Sequence, residues 1–440
     1  MATALSRTTL LLLLVSAASY LGLGYFTERS SFIQLLFFFT VSFAAYFQLA
    51  RQPLSLKVIL STAIFFRFLL LFSWPALSDD YFRFIWDGRL LIAGENPFLH
   101  LPTFYLTQLN QISGINLELF HQLNSPHYFT VYPPVCQFIF AFSAWLFPES
   151  NWGMVVCMRF ILIVAELGTL HFIIKLLLHY HMPVKRVVWY ALNPLVIVEL
   201  SGNLHFEALV LGCLLASIYL LSQHKLLLSG WAFGLAIGVK LIPLIFLPFL
   251  LAKLGGKNFF IFTGAAGFIL LLLFLPFLSK EIFQNIWQSL DLYFQKFEFN
   301  ASVYYVFRWL GAIWLGYNII GILGPVLSLV TFLIILVMAY RSRQISEQNL
   351  PTCFLFALSV YFFLTTTVHP WYLTTLAALC VFTPYRYALV WSGAAVLSYA
   401  TYQTRTYHEN LYLTALEYAL VYGWFIWEIL EYHKKKYPPG

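Results

Sequence analysis

An all-α protein built from many membrane-spanning helices is what this sequence predicts, on three observations. Apolar residues make up 61% of the chain and charged residues only 10%, where a soluble domain carries roughly a quarter of charged residues. Apolar runs at 9–26, 33–50, 153–178 and 259–278 approach or exceed the roughly 20 residues that a helix needs to cross a bilayer. These runs are apolar on every face, which excludes the ten-residue alternation of a membrane barrel.

The 25 basic residues exceed the 18 acidic ones, for a net charge of +7. They sit in the short connections between apolar runs, so they report membrane orientation and give no reason to expect nucleic acid. The five cysteines are scattered without CxxC spacing, and predict neither a disulfide nor a metal site. The leucine run after Arg7 is read as an uncleaved first span, a signal peptide being the other reading.

With Arg7 inside, the first span exits near Glu28, the second returns to Arg51 and Lys57, and the third, over 59–74, leaves again. Counted from the other end, Lys434, Lys435 and Lys436 are inside, 405–410 outside, Tyr385 and Arg386 inside, His369 outside, and Arg341 and Arg343 inside. The middle is ambiguous. If 226–253 forms a hairpin of two short helices, Lys240 and Pro243 mark its outer tip; if it is one tilted span, Lys240 is buried mid-membrane. The hairpin is preferred because it keeps Lys253 and Lys257 inside. The segment 131–147 either crosses or lies at the interface, giving an expectation of about 11–13 spans in one transmembrane domain over 1–440.

Two stretches, 75–130 and 279–302, are too polar to span and too long to be turns, and loops of this size usually carry function. Three of the chain's four aspartates, Asp79, Asp80 and Asp87, fall in the first of them. At helical spacing Asp80, Arg83 and Asp87 share a stripe, while Phe82, Ile85 and Trp86 are free to rest on lipid. Ser78 suits the N-cap and Gly94 the far end. An amphipathic helix lying on the outer surface is therefore expected, with Asp79 and Asp80 at the membrane edge. Desolvation and a like-charged neighbour raise the basicity of one carboxylate, which fits it to take a proton from a hydroxyl. The same acids also suit a helix start by favouring its dipole, and the residues alone leave both readings open.

The string SDDYFRFIWDGRLLIAGENPF, starting at Ser78, resembles the first outer loop of the GT-C glycosyltransferases, specifically the bacterial polyprenol-phosphate-mannose-dependent mannosyltransferases. Further matches follow in that family's order: Tyr132-Pro133-Pro134 with Gln137, Tyr190 to Pro194, Gly202-x-x-His205-Phe206-Glu207-Ala208, Val239-Lys240-x-x-Pro243, Phe299-Asn300-x-Ser302 and His369-Pro370-Trp371-Tyr372. The first match is fairly specific and each of the others is weak alone. The chain departs from the pattern at Phe84, where Tyr is usual, and at Glu207, where Asp is commoner.

The resemblance implies a GT-C fold with its catalytic loop on the outer face of a bacterial inner membrane. There a sugar on a polyprenyl phosphate passes with inversion to the hydroxyl of a glycan or glycolipid. Mannose follows from the resemblance alone. Such a donor leaves as a phosphate monoester, so neither a nucleotide cofactor nor a metal is called for. Asp79 is the expected base with Asp80 tuning it, and Asp87 is expected to pair with Arg83 or Arg89. Lys240 and His369 lead the phosphate candidates, followed by Arg83, Arg89 and Arg308. Tyr132, His205, Glu207, Asn300 and Tyr372 complete the substrate-binding set.

Each of these has a plainer reading. Lys240 can snorkel, His369 can anchor a span at the interface, Tyr132-Pro133-Pro134 can simply start a helix, and His205 and Glu207 can close a helix turn. Arg159 and Glu166 suit a structural ion pair. Among function classes the main rival is a transporter or lipid-linked sugar flippase, which also has many spans and broken helices. Inverted repeats are not found, and the acids cluster in an outer loop and not near the bilayer midplane. A catalytically inert scaffold and a lipid-linked polysaccharide polymerase are further readings.

Overall fold

The computed structural model describes residues 5–108, 112–295, 297–404 and 407–436. Arg405, expected in an outer turn, lies outside the described residues. Among the described residues there is no strand, only an isolated parallel bridge between Phe299 and Thr367, and helices dominate. The chain is a polytopic, all-helical membrane protein. Among the described residues six helices are long and apolar enough to span: Arg7–Tyr25, Phe32–Arg51, Asn151–His179, Ile242–Phe277, Ile320–Gln344 and Leu411–Tyr432. A seventh span is made if the pair Pro194–Gly202 and Glu207–Ser222, bent by 113°, counts as one. Other apolar helices, including Pro134–Leu146, Leu226–Val239 and Val303–Leu315, are shorter than the bilayer requires. The gap between this count and the 11–13 expected from hydropathy arises because hydropathy registers an apolar segment whether it is whole or broken.

Contacts divide the chain into two compact units. One comprises Met1–Leu70, Ile173–Glu199 and Glu298–Gly440; the other comprises Leu71–Phe172 and Leu200–Phe297.

In the second unit the helix Asp80–Ile92 packs on Pro134–Leu146. A Cβ on Gly88 would stand 2.5 Å from the Phe140 carbonyl oxygen, so only glycine permits this approach. Phe84 stacks on Phe140 with ring centroids 4.6 Å apart. The helix is more deeply set than its amphipathic pattern suggests. Ile85 and Trp86, expected to rest on lipid, are fully buried in protein, together with Asp87. The correction has a simple cause: the apolar stripe that would face acyl chains faces other segments of the chain instead. At its start Asp79 is the cap residue and makes no side-chain capping bond, while the Ser78 hydroxyl accepts the Asp80 amide at 3.3 Å. Gly94 follows its end at φ +84°.

The chain turns at Lys240. Gly230 approaches Phe262 and Ala265, Gly234 approaches Ala266, and Gly238 approaches Leu270 and Leu273. Both series rise together, so Leu226–Val239 and the segment after Gly255 run parallel, and residues between them must return in the opposite direction. Gly255, at φ 69° and ψ 168°, breaks the long helix where that return ends. An unbroken Ile242–Phe277 would be about 54 Å long, well beyond the roughly 30 Å hydrocarbon core. Lys240 therefore stands at the same end of the unit as Phe277. That end also holds both long loops, because the Asn96 side chain donates to Phe277 O (3.0 Å), that of Asn285 to Phe98 O (2.9 Å) and the Ser289 hydroxyl to Phe129 O (3.0 Å). Lys253 and Lys257 flank the break at the opposite end.

In the first unit, Phe299 and 366–368 are joined by two backbone bonds, Phe299 N–H to Thr366 O and Val368 N–H to Phe299 O. This brings the Asn300 and His369 motifs side by side.

Candidate active site

Nine of the thirteen site candidates singled out in the sequence lie in the second unit. Phe84 organises them: its ring meets Tyr132 edge-on at 4.9 Å and Phe206 edge-on at 5.4 Å. The motifs at Ser78–Arg89, Tyr132 and His205–Glu207 thus converge on one aromatic cluster. The Cys136 thiol reaches Val239 O at 3.4 Å and brings in the Lys240 motif.

Asp79 and Asp80 are half-exposed at the start of a helix whose residues 83–90 are all buried. The Asn124 amide donates to Asp80 Oδ1 at 2.7 Å. Burial, then the Asp79 charge, holds the Tyr81 phenol well above its ordinary range, so Tyr81 stays a neutral neighbour of that carboxylate.

The other charges of this helix are committed to the protein. Arg83 Nε donates to Asp87 Oδ1 at 2.8 Å, and its Nη1 donates to Ser125 O and Tyr128 O. The second Asp87 oxygen accepts from Gln137 Nε2 at 3.0 Å, and that amide also reaches Thr130 Oγ1 and Tyr132 O. Arg89 donates to Pro148 O and Gly114 O, and burial lowers its affinity for a proton against the opposing charge of Glu149. These arginines brace the 112–130 part of the loop, and their guanidinium groups are engaged with backbone carbonyls.

Lys240 caps the C-terminus of Leu226–Val239 and pairs with Glu207, in the first turn of Glu207–Ser222. Glu207 is almost wholly buried, whereas the Lys240 side chain is one-third exposed. The pair joins two of the sequence candidates, which hydropathy alone left at separate positions. His205 is buried and follows Leu204, a bulky residue held at φ +63°.

Asn300, His369 and Tyr372 lie in the first unit. Asn300 is held by its backbone and its side-chain NH2. Its N–H donates to Glu409, its carbonyl accepts from the Tyr418 hydroxyl at 2.6 Å, and its amide donates to Glu417 at 3.1 Å. His369 lies between Phe299 (4.7 Å) and Trp371 (4.3 Å, stacked nearly parallel), with Tyr372 edge-on at 5.3 Å. Both ring faces are covered, so only the imidazole edge is left for polar contacts.

Two sets of residues were missed or misread in the sequence. Glu417, fully buried on Leu411–Lys436 and accepting from Asn300 and Trp391, had a signal: an acid within an apolar span. Arg159, for which the sequence suggested a structural ion pair, has a set of partners that the sequence did not indicate: its guanidinium donates to the carbonyls of Leu71, Ser73, Ser201 and Gly202. Among the described residues no three His, Cys, Asp or Glu side chains are grouped to hold a metal ion.

A family model described as "MptA_B family: Alpha-(1->6)-mannopyranosyltransferase, N-terminal domain" matches residues 13–255, more than half of the 440 residues. No curated protein matches the chain.

Proposed function

The chain belongs to the alpha-(1->6)-mannopyranosyltransferase family and is a membrane glycosyltransferase of the mannosyl-transfer kind, and from that premise we propose that it takes mannose from a polyprenyl-phosphate donor. The sugar passes with inversion to an acceptor hydroxyl on a glycan or glycolipid at the outer face of the membrane, by general-base catalysis from Asp79 with Asp80 tuning it. The linkage in the family's description, alpha-(1->6), is the first to test.

One observation carries this reading. In a helix whose other charges are buried and spent on the fold, only the two carboxylates at its start are half-exposed. A base needs that combination: rigid support behind it and an open side toward the hydroxyl it deprotonates. Asp80 accepts from Asn124 and is thereby oriented, and proton transfer is assigned to Asp79, the first acid of the pair. The one-third exposed ammonium of Lys240 is the cation for the departing phosphate, where charge must be stabilised as the glycosidic bond breaks. Glu207 holds it in place until the phosphate takes over part of that pairing.

The test is transfer by the purified protein from a panel of radiolabelled polyprenyl-phosphate sugars, and from GDP-mannose, into a membrane extract. Product from polyprenyl-phosphate mannose alone, of inverted anomeric configuration, is expected. Transfer from the nucleotide sugar, or movement of intact lipid-linked sugar between leaflets without a glycosidic product, overturns the reading.

A further inference from the structure

Arg159 is wholly buried in the apolar helix Asn151–His179. Arginine stays charged in proteins, and a charge inside a membrane span is costly enough to ask what it does. Its Nε donates to Ser201 O at 2.7 Å and its Nη2 to Gly202 O at 2.9 Å, while its Nη1 donates to Leu71 O at 2.8 Å and Ser73 O at 2.5 Å. One planar group therefore spans two backbone segments that are about 130 residues apart in sequence.

Those segments lead into the site. Six residues beyond Ser73 is Asp79; three beyond Gly202 is His205, and five beyond is Glu207. A second tie joins them closer in, where the Leu77 N–H donates to the Asn203 side-chain oxygen at 3.1 Å. Between Asn203 and His205, Leu204 is held in the left-handed region. A buried leucine persists there only where its surroundings over-determine it, and Arg159 and Asn203 are the groups that clamp the residues before it.

We propose that Arg159 is a positioning residue for mannosyl transfer: its guanidinium sets the Asp79–Asp80 segment in register with the His205–Glu207 segment. The proposal rests on Asp79 being the base. Lysine cannot replace this function, because an ammonium is a point charge and lacks the rigid fork that reaches four carbonyls.

The experiment measures Arg159→Lys, Asp79→Asn and their combination in single-turnover and steady-state assays, with thermal unfolding in detergent to normalise for folded protein. Asn203→Ala, which removes the second tie without touching a charge, is measured in parallel. Arg159→Lys is expected to lower kcat by about 10- to 100-fold, the scale of a small misplacement of a catalytic group, with donor KM within about threefold. Asn203→Ala is expected to lower kcat by about threefold to tenfold in the same pattern. In the Asp79→Asn background Arg159→Lys should cost little more, because the misplaced group is already gone. Equal kcat losses in the two backgrounds, or a melting-temperature loss with parental kcat per folded molecule, overturn the proposal. If Arg159→Lys does not fold, a parental kcat in Asn203→Ala overturns it. Parental kcat in Asp79→Asn alone overturns the base reading and the proposal together, whereas an inactive Asp79→Asn with an indifferent Arg159→Lys overturns the proposal alone.

Discussion

Asp87→Asn and Asp79→Asn remove the same charge from the same helix eight residues apart, and they should fail in opposite ways. Asp87 is fully buried, with one oxygen 2.8 Å from Arg83 Nε and the other 3.0 Å from Gln137 Nε2. The new amide keeps the shape but leaves Arg83 without a counter-charge. It also sets one NH2 against another unless Gln137 flips. Flipping costs that residue its bonds to Thr130 and Tyr132 O. Breaking a buried pair costs about 3–5 kcal/mol. Arg83 retains Ser125 O and Tyr128 O, which argues for the low end, about 3 kcal/mol. For a cooperative unit of about 200 residues this is a melting-temperature loss of roughly 6–12 °C. Asp79, half-exposed and making no capping bond, should cost less than about 1 kcal/mol when replaced, as surface positions do. Its loss should lower turnover at least ~10²-fold, the scale of a general base. Thermal unfolding in detergent and turnover per folded molecule read the two effects separately. Asp87→Asn melting with the parent while Asp79→Asn melts far below it would refute the reasoning.

Lys240→Met should lower donor affinity and maximal rate together, since the phosphate is charged before and during cleavage; it should also destabilise by stranding the buried Glu207 carboxylate. Adding Glu207→Gln to that variant should restore its melting temperature and leave it inactive, and recovery of activity would remove Lys240 from the site. Gly88→Ala should cost about 1–3 kcal/mol by overpacking, because a Cβ there meets the Phe140 carbonyl at 2.5 Å; an unchanged melting temperature would deny the close helix approach. For sidedness, a cysteine at exposed His127 should react with a membrane-impermeant thiol reagent in intact cells, and one at exposed Lys257, beside the Gly255 break, should not; the reverse pattern would move the site to the other face.

Local rules carried much of the molecule. Apolar runs and sparse charge determine a helical membrane protein, because a bilayer leaves backbone groups no partner outside the helix. The cluster of three aspartates and its spacing determine the helix at 80–92, the Arg83–Asp87 contact and the place of a candidate base. The basic residues around 226–257 favour a hairpin with Lys240 at its tip, and the parallel packing of the glycine face with the Gly255 break forms that turn. What local rules missed are pairings between distant segments. Periodicity showed an apolar face on Ile85 and Trp86 but could not tell lipid from protein as its cover. Hydropathy marked Lys240 as a costly charge and Glu207 as a candidate without pairing the two, and it passed over Glu417 altogether. Only tertiary structure decides that Arg159 meets the carbonyls of 71, 73, 201 and 202, and that Arg89 is spent on Gly114 and Pro148. A backbone carbonyl is the same group at every residue, so nothing in the sequence distinguishes the ones that folding leaves open to a buried arginine.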